Sequence, residues 1–274
     1  FHYIKEFHSL LHDDYQSIIL NHQNLTHKFI SLNKRSVPWR QLLYRKFWQD
    51  GLLPHSYFSY LCEDSLKGTM YHEPSWQTNQ NWLEQHYKGP WPEQKFYSLD
   101  NDQLLEKYIN TNVGIINGPT KNAVAVDPTW NVDNNMYEHA FCSVVLETDV
   151  GNRQVNISEK TIRPLAIGHP LLVLGAVGTV QHLRDLGLDM LDDIFDFAYD
   201  QETDIFKRVE KFFHSIDQIA SMSYDELTEI RTHIQPRLQH NRTQLNKLKQ
   251  IVGQKGTDIN NQCQQRIKEF FDGV

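Results

Sequence analysis

Cysteine is scarce in this chain of 274 residues, which contains three, far apart and with no Cys-x-x-Cys pair. An odd, scattered set of this kind gives no sign of a disulfide framework or of paired metal ligands, and it fits a reducing compartment. Apolar runs are short as well, because none reaches the ~20 residues that span a bilayer. No secretory leader is recognisable. We therefore expect a cytoplasmic protein without a membrane partner.

Positive charge is not in excess, since 27 Lys and Arg residues stand against 34 Asp and Glu residues. Broad binding to nucleic acid needs a basic surface, so the composition does not support that function. The signatures Gly-x-Ser-x-Gly, the P-loop and Gly-x-Gly-x-x-Gly are missing too. Hydrophobic residues nevertheless make up 39% of the chain, which is enough for a sizeable core.

Short apolar runs alternate with helical spacing over most of the chain. The predicted strands cover residues 28–32, 57–61, 113–116, 141–146 and 171–174. Strands that alternate with helices in this way are typical of a doubly wound parallel sheet. From about residue 203 onward the pattern is helical only, with a capping box at Ser223 and Glu226.

We therefore predict an α/β fold, namely a Rossmann-like parallel sheet with a C-terminal helical extension. The predicted parts are an N-terminal helix at 1–27, a Rossmann-like domain at 28–200 and a helical tail at 201–274. An irregular insert at 62–112 interrupts the domain. The tail carries an apolar stripe, which would pack either on the sheet or on a second copy of the chain.

Two predicted strand ends are polar, and ligands of open α/β sheets bind outside the carboxyl ends of strands. The first strand runs into Asn33 and a basic loop with Arg35, and Arg40 follows at the start of a helix. These cations suit a diphosphate, although their spacing alone slightly favours a solvated basic loop. Glu147 follows another buried strand, where it would either face a cleft or cap the next segment.

A third candidate is the helix start at Ser158, Glu159 and Lys160. Ser158 suits the N-cap and Glu159 complements the helix dipole, so these two residues alone predict an ordinary cap. Lys160 and Arg163 do not fit that explanation, because cations near a helix N-terminus are disfavoured unless an anion lies nearby. The pattern predicts a ligand with a diphosphate to neutralise and a ribose to hydrogen-bond, as in a nucleotide-sugar.

These segments resemble the nucleotide-sugar domain of family-10 fucosyltransferases, which have the GT-B fold. The resemblance implies that the sheet is of the GT-B donor-lobe type and that 28–200 is a nucleotide-sugar-binding domain. The resemblance also extends, more closely, to uncharacterised glycosyltransferase-like proteins of bacteriophages. The matching positions are Asn33, Arg40, Leu146-Glu147-Thr148, Ser158-Glu159-Lys160, the strand at 170–175 and the Gly178-Thr179 helix up to Gly187.

The resemblance implies a metal-independent glycosyltransferase that moves a sugar from a nucleoside-diphosphate sugar to an unknown acceptor hydroxyl, with no other cofactor. For a viral protein, this reaction would take place in the host cytoplasm. Glu159 would hydrogen-bond the ribose, Lys160 and Arg40 would bind the diphosphate, and Glu147 would face the sugar or base. Thr148 stands where those fucosyltransferases have Asn, so the donor sugar stays open.

GT-B enzymes take their catalytic base from an acceptor lobe that precedes the donor lobe, whereas residues 1–27 alone precede the first predicted strand here. Either that lobe is not part of this chain, or the insert and the tail form the acceptor side. Glu73 and Asp127 are candidates for the base. The alternative function is a non-catalytic glycosyltransferase-like binding or structural module of a larger phage protein.

The triplet Asp100-Asn101-Asp102 has the form of the metal signature of the other glycosyltransferase fold, which would indicate a metal-dependent reaction. Such triplets are common, and Asp102 is better placed as the cap of a short helix. No metal site is therefore predicted.

Overall fold

A four-stranded parallel sheet lies at the centre of the computed structural model, which describes residues 25–33, 37–60, 85, 134–148, 150–151 and 154–251. The sheet has the order β2-β1-β3-β4, and all its neighbouring strands are parallel. Its strands are β1 (His27–Asn33), β2 (Ser56–Tyr60), β3 (Ala140–Leu146) and β4 (Leu171–Leu174). The predicted α/β fold with a parallel sheet is confirmed at this level, and the arrangement is consistent with a Rossmann-like fold.

Seven helices accompany the sheet in the described part of the chain. They are α1 (Pro38–Gln49), α2 (Asn134–His139), α3 (Glu159–Ile167), α4 (Thr179–Asp185), α5 (Ile205–Ser221), α6 (Tyr224–His233) and α7 (235–251). A 3-10 turn at Leu53–His55 leads into β2. Nearly all of the insert at 62–112, the predicted strand at 113–116, Arg35, Glu73 and Asp127 lie outside the described residues.

The two faces of the sheet are covered by different helices. Neighbouring residues of a strand point to opposite faces, so Phe29 and Ile30 of β1 mark the two sides. Phe29 packs edge-on against Phe47 of α1, with ring centroids 5.4 Å apart. Ile30 instead lines a small cavity together with Pro164 of α3. The sheet is therefore sandwiched between α1 and α3, which explains why β3 is buried along its whole length.

The strand order creates a topological switch point between β1 and β3. The chain passes from β1 outward to β2 and then returns to the other side of β1 to form β3. At such a point the helices leave the sheet in opposite directions, and a crevice opens at the carboxyl ends of the two strands. Asn33 and Leu146, the last residues of β1 and β3, mark this place.

The helical tail packs on the same core as the sheet. Its stripe residues Val209, Phe212, Ile216 and Ile219 are buried, so the described stripe faces the protein interior. Helix α5 begins near α1, where Phe206 meets Trp39, and it ends at β1, where Lys28 donates to the carbonyls of Ala220 and Met222. Self-association through the tail stays a prediction.

Helices α6 and α7 lie along the amino edge of the sheet. Tyr224 donates its hydroxyl to the carbonyl of Thr26 just before β1, and Arg231 donates to the carbonyl of Glu138 in α2. Arg242 of α7 donates to the carbonyl of Ala166 at the end of α3. Helices α6 and α7 are thus placed at the edge opposite to the carboxyl ends of the strands, whereas α5 begins at the carboxyl edge. None of the described helices has the length and apolar character needed to cross a membrane.

Candidate functional site

The carboxyl ends of β1 and β3 bring several of the predicted residues to one edge. Asn33 ends β1 and is buried, and its amide donates to the hydroxyl of Ser31 at 3.0 Å. Ser31 in turn donates to the carbonyl of Val144 in β3 at 2.8 Å. This short chain of hydrogen bonds fixes the two strand ends relative to each other beside the switch point.

Arg40 is completely buried under the end of β3. Its Nη2 donates to the carbonyl oxygen of Leu146 at 3.1 Å and lies 3.4 Å from the hydroxyl of Thr148. The guanidinium therefore ties the first turn of α1 to the exit of β3. The predicted contact between Arg40 and a diphosphate has no counterpart in these hydrogen bonds, which give this cation a structural role.

Glu147 is 1% exposed and points to the start of α3. Its carboxylate accepts hydrogen bonds from the backbone N–H of Ser158 at 2.9 Å, the hydroxyl of Ser158 at 2.6 Å and the hydroxyl of Thr161 at 2.5 Å. The sequence allowed Glu147 either to face a cleft or to cap the next segment, and the geometry shows that it caps α3. A buried carboxylate from β3 thus occupies the position at which a helix N-terminus would receive an anion.

Helix α3 has the cap that its sequence predicts. Ser158 is the N-cap, and its hydroxyl accepts from the backbone N–H of Lys160 at 3.3 Å. Gly168 ends the helix in the left-handed conformation with φ of 78°, which an L side chain rarely adopts. Together with Glu147, these ends fix the short helix directly behind β3.

Glu159 and Lys160 form an ion pair at the start of α3. The Lys160 Nζ lies 2.5 Å from Glu159 Oε1, and the two side chains are 16% and 29% exposed, respectively. Glu159 and the nearby Glu147 therefore supply the negative charge that a cation near a helix N-terminus requires. This charge pair remains reachable from solvent at the carboxyl edge, whereas Arg40 and Glu147 are buried.

Arg163 lies one turn further along α3 and is mostly buried, with its guanidinium 6.0 Å from the ring centre of Tyr137. Lys160, Arg163 and Ser143 line a cavity of about 30 Å³ between α3 and the strands β1 and β3. This volume can hold ordered water but is far too small for a ligand of the size of a nucleotide.

Helices α4 and α5 also begin at this edge, and acidic side chains cap both. Asp200 accepts from the backbone N–H groups of Val180 at 2.8 Å and Gln181 at 3.0 Å in α4. Asp204 accepts from the first turn of α5. Asp200 is a functional position without a prediction from the sequence. A signal was present, because Asp200 directly follows a run in which the buried aromatic side chains of Phe195, Phe197 and Tyr199 alternate with exposed positions.

The start of α1, unlike those of α3 and α5, has no polar N-cap side chain. Its N-cap is Val37, which makes no side-chain cap hydrogen bond, and its first turn contains no acidic residue. This turn lies at the carboxyl end of β1, directly beside the switch point. Arg35, the remaining predicted cation of this loop, lies outside the described residues.

No group of His, Cys, Asp or Glu suited to a metal ion occurs among the described residues, and the Asp100-Asn101-Asp102 triplet lies outside them. Comparison with known proteins adds no assignment: the chain matches no protein-family model, no curated protein and no solved structure.

Proposed function

We propose that the carboxyl edge of β1 and β3 binds a nucleoside-diphosphate sugar, and that the chain is a metal-independent glycosyltransferase of GT-B type or its donor-binding lobe. The observation that carries the proposal is the solvent-reachable Glu159–Lys160 pair on a helix start beside the switch point. Open α/β sheets bind their ligands at this place. A carboxylate beside an ammonium group offers an acceptor for ribose hydroxyls and a charge for phosphates.

In this proposal the buried residues have a structural role and the solvent-reachable residues bind the ligand. Glu147 and Arg40 are buried and hydrogen-bonded to the protein, so they hold β3, α1 and α3 in place. Lys160 exchanges its partner Glu159 for the diphosphate, and Glu159 then accepts from the ribose. The dipole of α1, whose first turn begins at Pro38, adds positive potential on the other side of the crevice.

This arrangement would favour departure of the nucleoside diphosphate. Negative charge grows on the leaving phosphate as the bond to the sugar breaks, and fixed positive groups lower the energy of that state. Lys160 supplies such a charge at the edge of the sheet. Deprotonation of the acceptor hydroxyl requires a base, for which Glu73 and Asp127 stay the candidates.

Calorimetric titration with a panel of nucleotide-sugars and free nucleoside diphosphates tests the binding part of the proposal. We expect Lys160→Ala to weaken diphosphate binding by about tenfold, the equivalent of ~1.4 kcal/mol. Lys46→Ala is the matched control, because Lys46 is also 16% exposed and ion-paired but lies in the last turn of α1. Absence of binding by every nucleotide, or equal losses in both variants, would contradict the proposal.

A non-catalytic binding or structural module is the second candidate. It is favoured by the observation that Arg40 and Glu147, two of the residues assigned to the ligand, form hydrogen bonds within the protein. Release of free nucleoside diphosphate from each donor separates the two functions. An enzyme should hydrolyse its donor slowly without acceptor, and Lys160→Ala should slow that release, whereas a binding module should show none.

A further inference from the structure

Three histidines lie at the amino edge of the sheet, at the edge opposite to the proposed ligand site. His27 is the first residue of β1, His55 directly precedes β2, and His139 directly precedes β3. Because β1 pairs with both β2 and β3, the topology brings the three imidazoles to one place. The register confirms their proximity, since His27 pairs with Ala140, the residue after His139.

The environment of His27 disfavours its charged form. Its ring stacks on Tyr57 of β2 with centroids 3.8 Å apart, and its Nδ1 lies 2.8 Å from the hydroxyl of Thr26. Burial lowers the pKa of His27, and the nearby charges of His139 and His55 lower it further. Burial and the two neighbouring histidines therefore both disfavour a proton on the His27 imidazole.

The same place holds the turn between α5 and α6. The hydroxyl of Tyr224 donates to the carbonyl of Thr26 at 3.0 Å and lies 3.2 Å from Nδ1 of His55. Lys28 donates to the carbonyls of Ala220 at 2.5 Å and Met222 at 2.6 Å. The tail is therefore fastened to β1 within one residue of His27.

Charges around these contacts are mostly positive when the histidines are protonated. Lys28 lies 5.6 Å from the ring centre of Tyr224, so a further positive charge lies beside the turn. Glu226 of α6 interacts with Lys28 and opposes this charge, but its carboxylate already accepts from the backbone N–H and hydroxyl of Ser223.

We propose that His27, His55 and His139 form a proton-sensitive latch, which holds the α5–α6 turn on the amino edge when neutral and releases it when protonated. Protonation would place like charges on three neighbouring imidazoles, one of which, His55, contacts Tyr224 of the turn. The latch acts on the attachment of the tail and is independent of any ligand at the carboxyl edge.

The sign of the pH dependence follows from His27. Its pKa is lower in the folded protein than in the unfolded chain, so the folded state binds fewer protons between the two values. The stabilisation is complete above the unfolded value near 6.5 and is lost as the pH falls through it towards the folded value. The latch should therefore open on mild acidification.

Hydrogen exchange at pH values from about 7.5 to about 5.5 tests the latch, because unperturbed histidines titrate in this range. Protection factors, corrected for the intrinsic pH effect, should fall by about tenfold for residues 26–28 and 222–227, because release of the turn exposes these amides by local opening. Those of β3 should change much less. His27→Gln and His55→Gln should each reduce the fall, whereas His214→Gln, on the exposed side of α5, should leave it unchanged.

Buried His169 is a second source of acid sensitivity, because burial lowers its pKa to about 3. All variants contain His169, so its contribution to the pH dependence is the same in each of them. His55 is exposed, so its variant keeps the test valid if His27→Gln does not fold. A uniform loss of protection along the chain, or the same fall in both latch variants as in the unaltered protein, would overturn the proposal.

Discussion

At the residue scale, buried acidic side chains replace ligands at helix starts. Glu147 and Asp200 are 1% and 3% exposed, and each accepts backbone N–H groups of the helix that begins beside it. A ligand phosphate approaching α3 would meet Glu147, a group of its own sign. Binding at this edge must therefore depend on side chains such as Lys160 and on the first turn of α1.

Replacing Glu147 tests this assignment. Glu147→Gln removes the charge and turns one acceptor into a donor that faces the donors Ser158 and Thr161. We expect a loss of about 1–3 kcal/mol in the free energy of unfolding, measured by urea denaturation without any ligand.

The matched control is Glu159→Gln, one residue into α3, where the side chain is 29% exposed and forms an ion pair. Its change should stay within about 0.5 kcal/mol, as is usual for a partly solvated pair. Equal effects of the two variants would show that Glu147 does not hold α3 in place.

At the element scale, the sequence identifies strands and helices well wherever burial and capping act locally. The predicted strand at 141–146 is β3 (Ala140–Leu146), because a continuous apolar run is typical of a strand covered on both faces. The capping box of Ser223 and Glu226 is confirmed. The sequence position of Pro236 predicts a kink or break in the tail, because proline lacks the N–H of a helix interior. Pro236 lies in the first turn of α7, where a missing N–H is tolerated.

Side-chain direction is what the sequence could not supply. The sequence pattern of a carboxylate after a buried strand is the same whether the carboxylate faces a crevice or the next helix. The contacts of Glu147 with Ser158 and Thr161 form only in the folded chain. Arg40 likewise has the sequence position of a ligand-binding cation. Its burial depends on the end of β3, more than a hundred residues away along the chain.

The end of α3 offers a test at this scale. Gly168 and Gly178 both have left-handed φ angles, of 78° and 80°, so alanine at either costs about 1 kcal/mol in backbone strain. A Cβ at Gly168 would also lie 3.0 Å from Cδ of Arg242. A Cβ at Gly178 would have no heavy atom within 4 Å among the described residues.

We therefore expect Gly168→Ala to lower the thermal midpoint more than Gly178→Ala, because Arg242 must shift and weaken its hydrogen bond to Ala166. Differential scanning calorimetry measures both. A smaller effect at Gly168 would mean that the α3–α7 contact contributes little to stability.

At the scale of the whole molecule, the tail and the sheet share one hydrophobic core, which includes Phe29 of β1, Phe212 of α5 and Leu245 of α7. Helices α6 and α7 cover the amino edge and leave the carboxyl edge to the loops that follow β1 and β3. The sequence showed where the helical pattern begins but not which edge the tail would cover, because that depends on contacts such as Arg231 with Glu138.

A shared core predicts a shared unfolding transition. Leu238 of α7 is 3% exposed, so Leu238→Ala should cost about 2–4 kcal/mol, the usual range for a buried leucine. Fluorescence and circular dichroism should give the same midpoint in this variant, as in a two-state transition.

The neighbouring variant Gln239→Ala, at an exposed position, should be almost neutral. Two separate transitions for Leu238→Ala would instead show that the tail folds independently of the sheet.

The most direct test of the central claim, that the carboxyl edge of β1 and β3 is the ligand site, is a hydrogen-exchange footprint with a saturating nucleoside-diphosphate sugar. Our account predicts slower exchange at residues 158–163 and 39–42, next to Lys160 and the start of α1, and no change at the amino-edge residues 26–28 and 222–227. Protection confined to the amino edge, or no protection with any nucleotide-sugar, would contradict it.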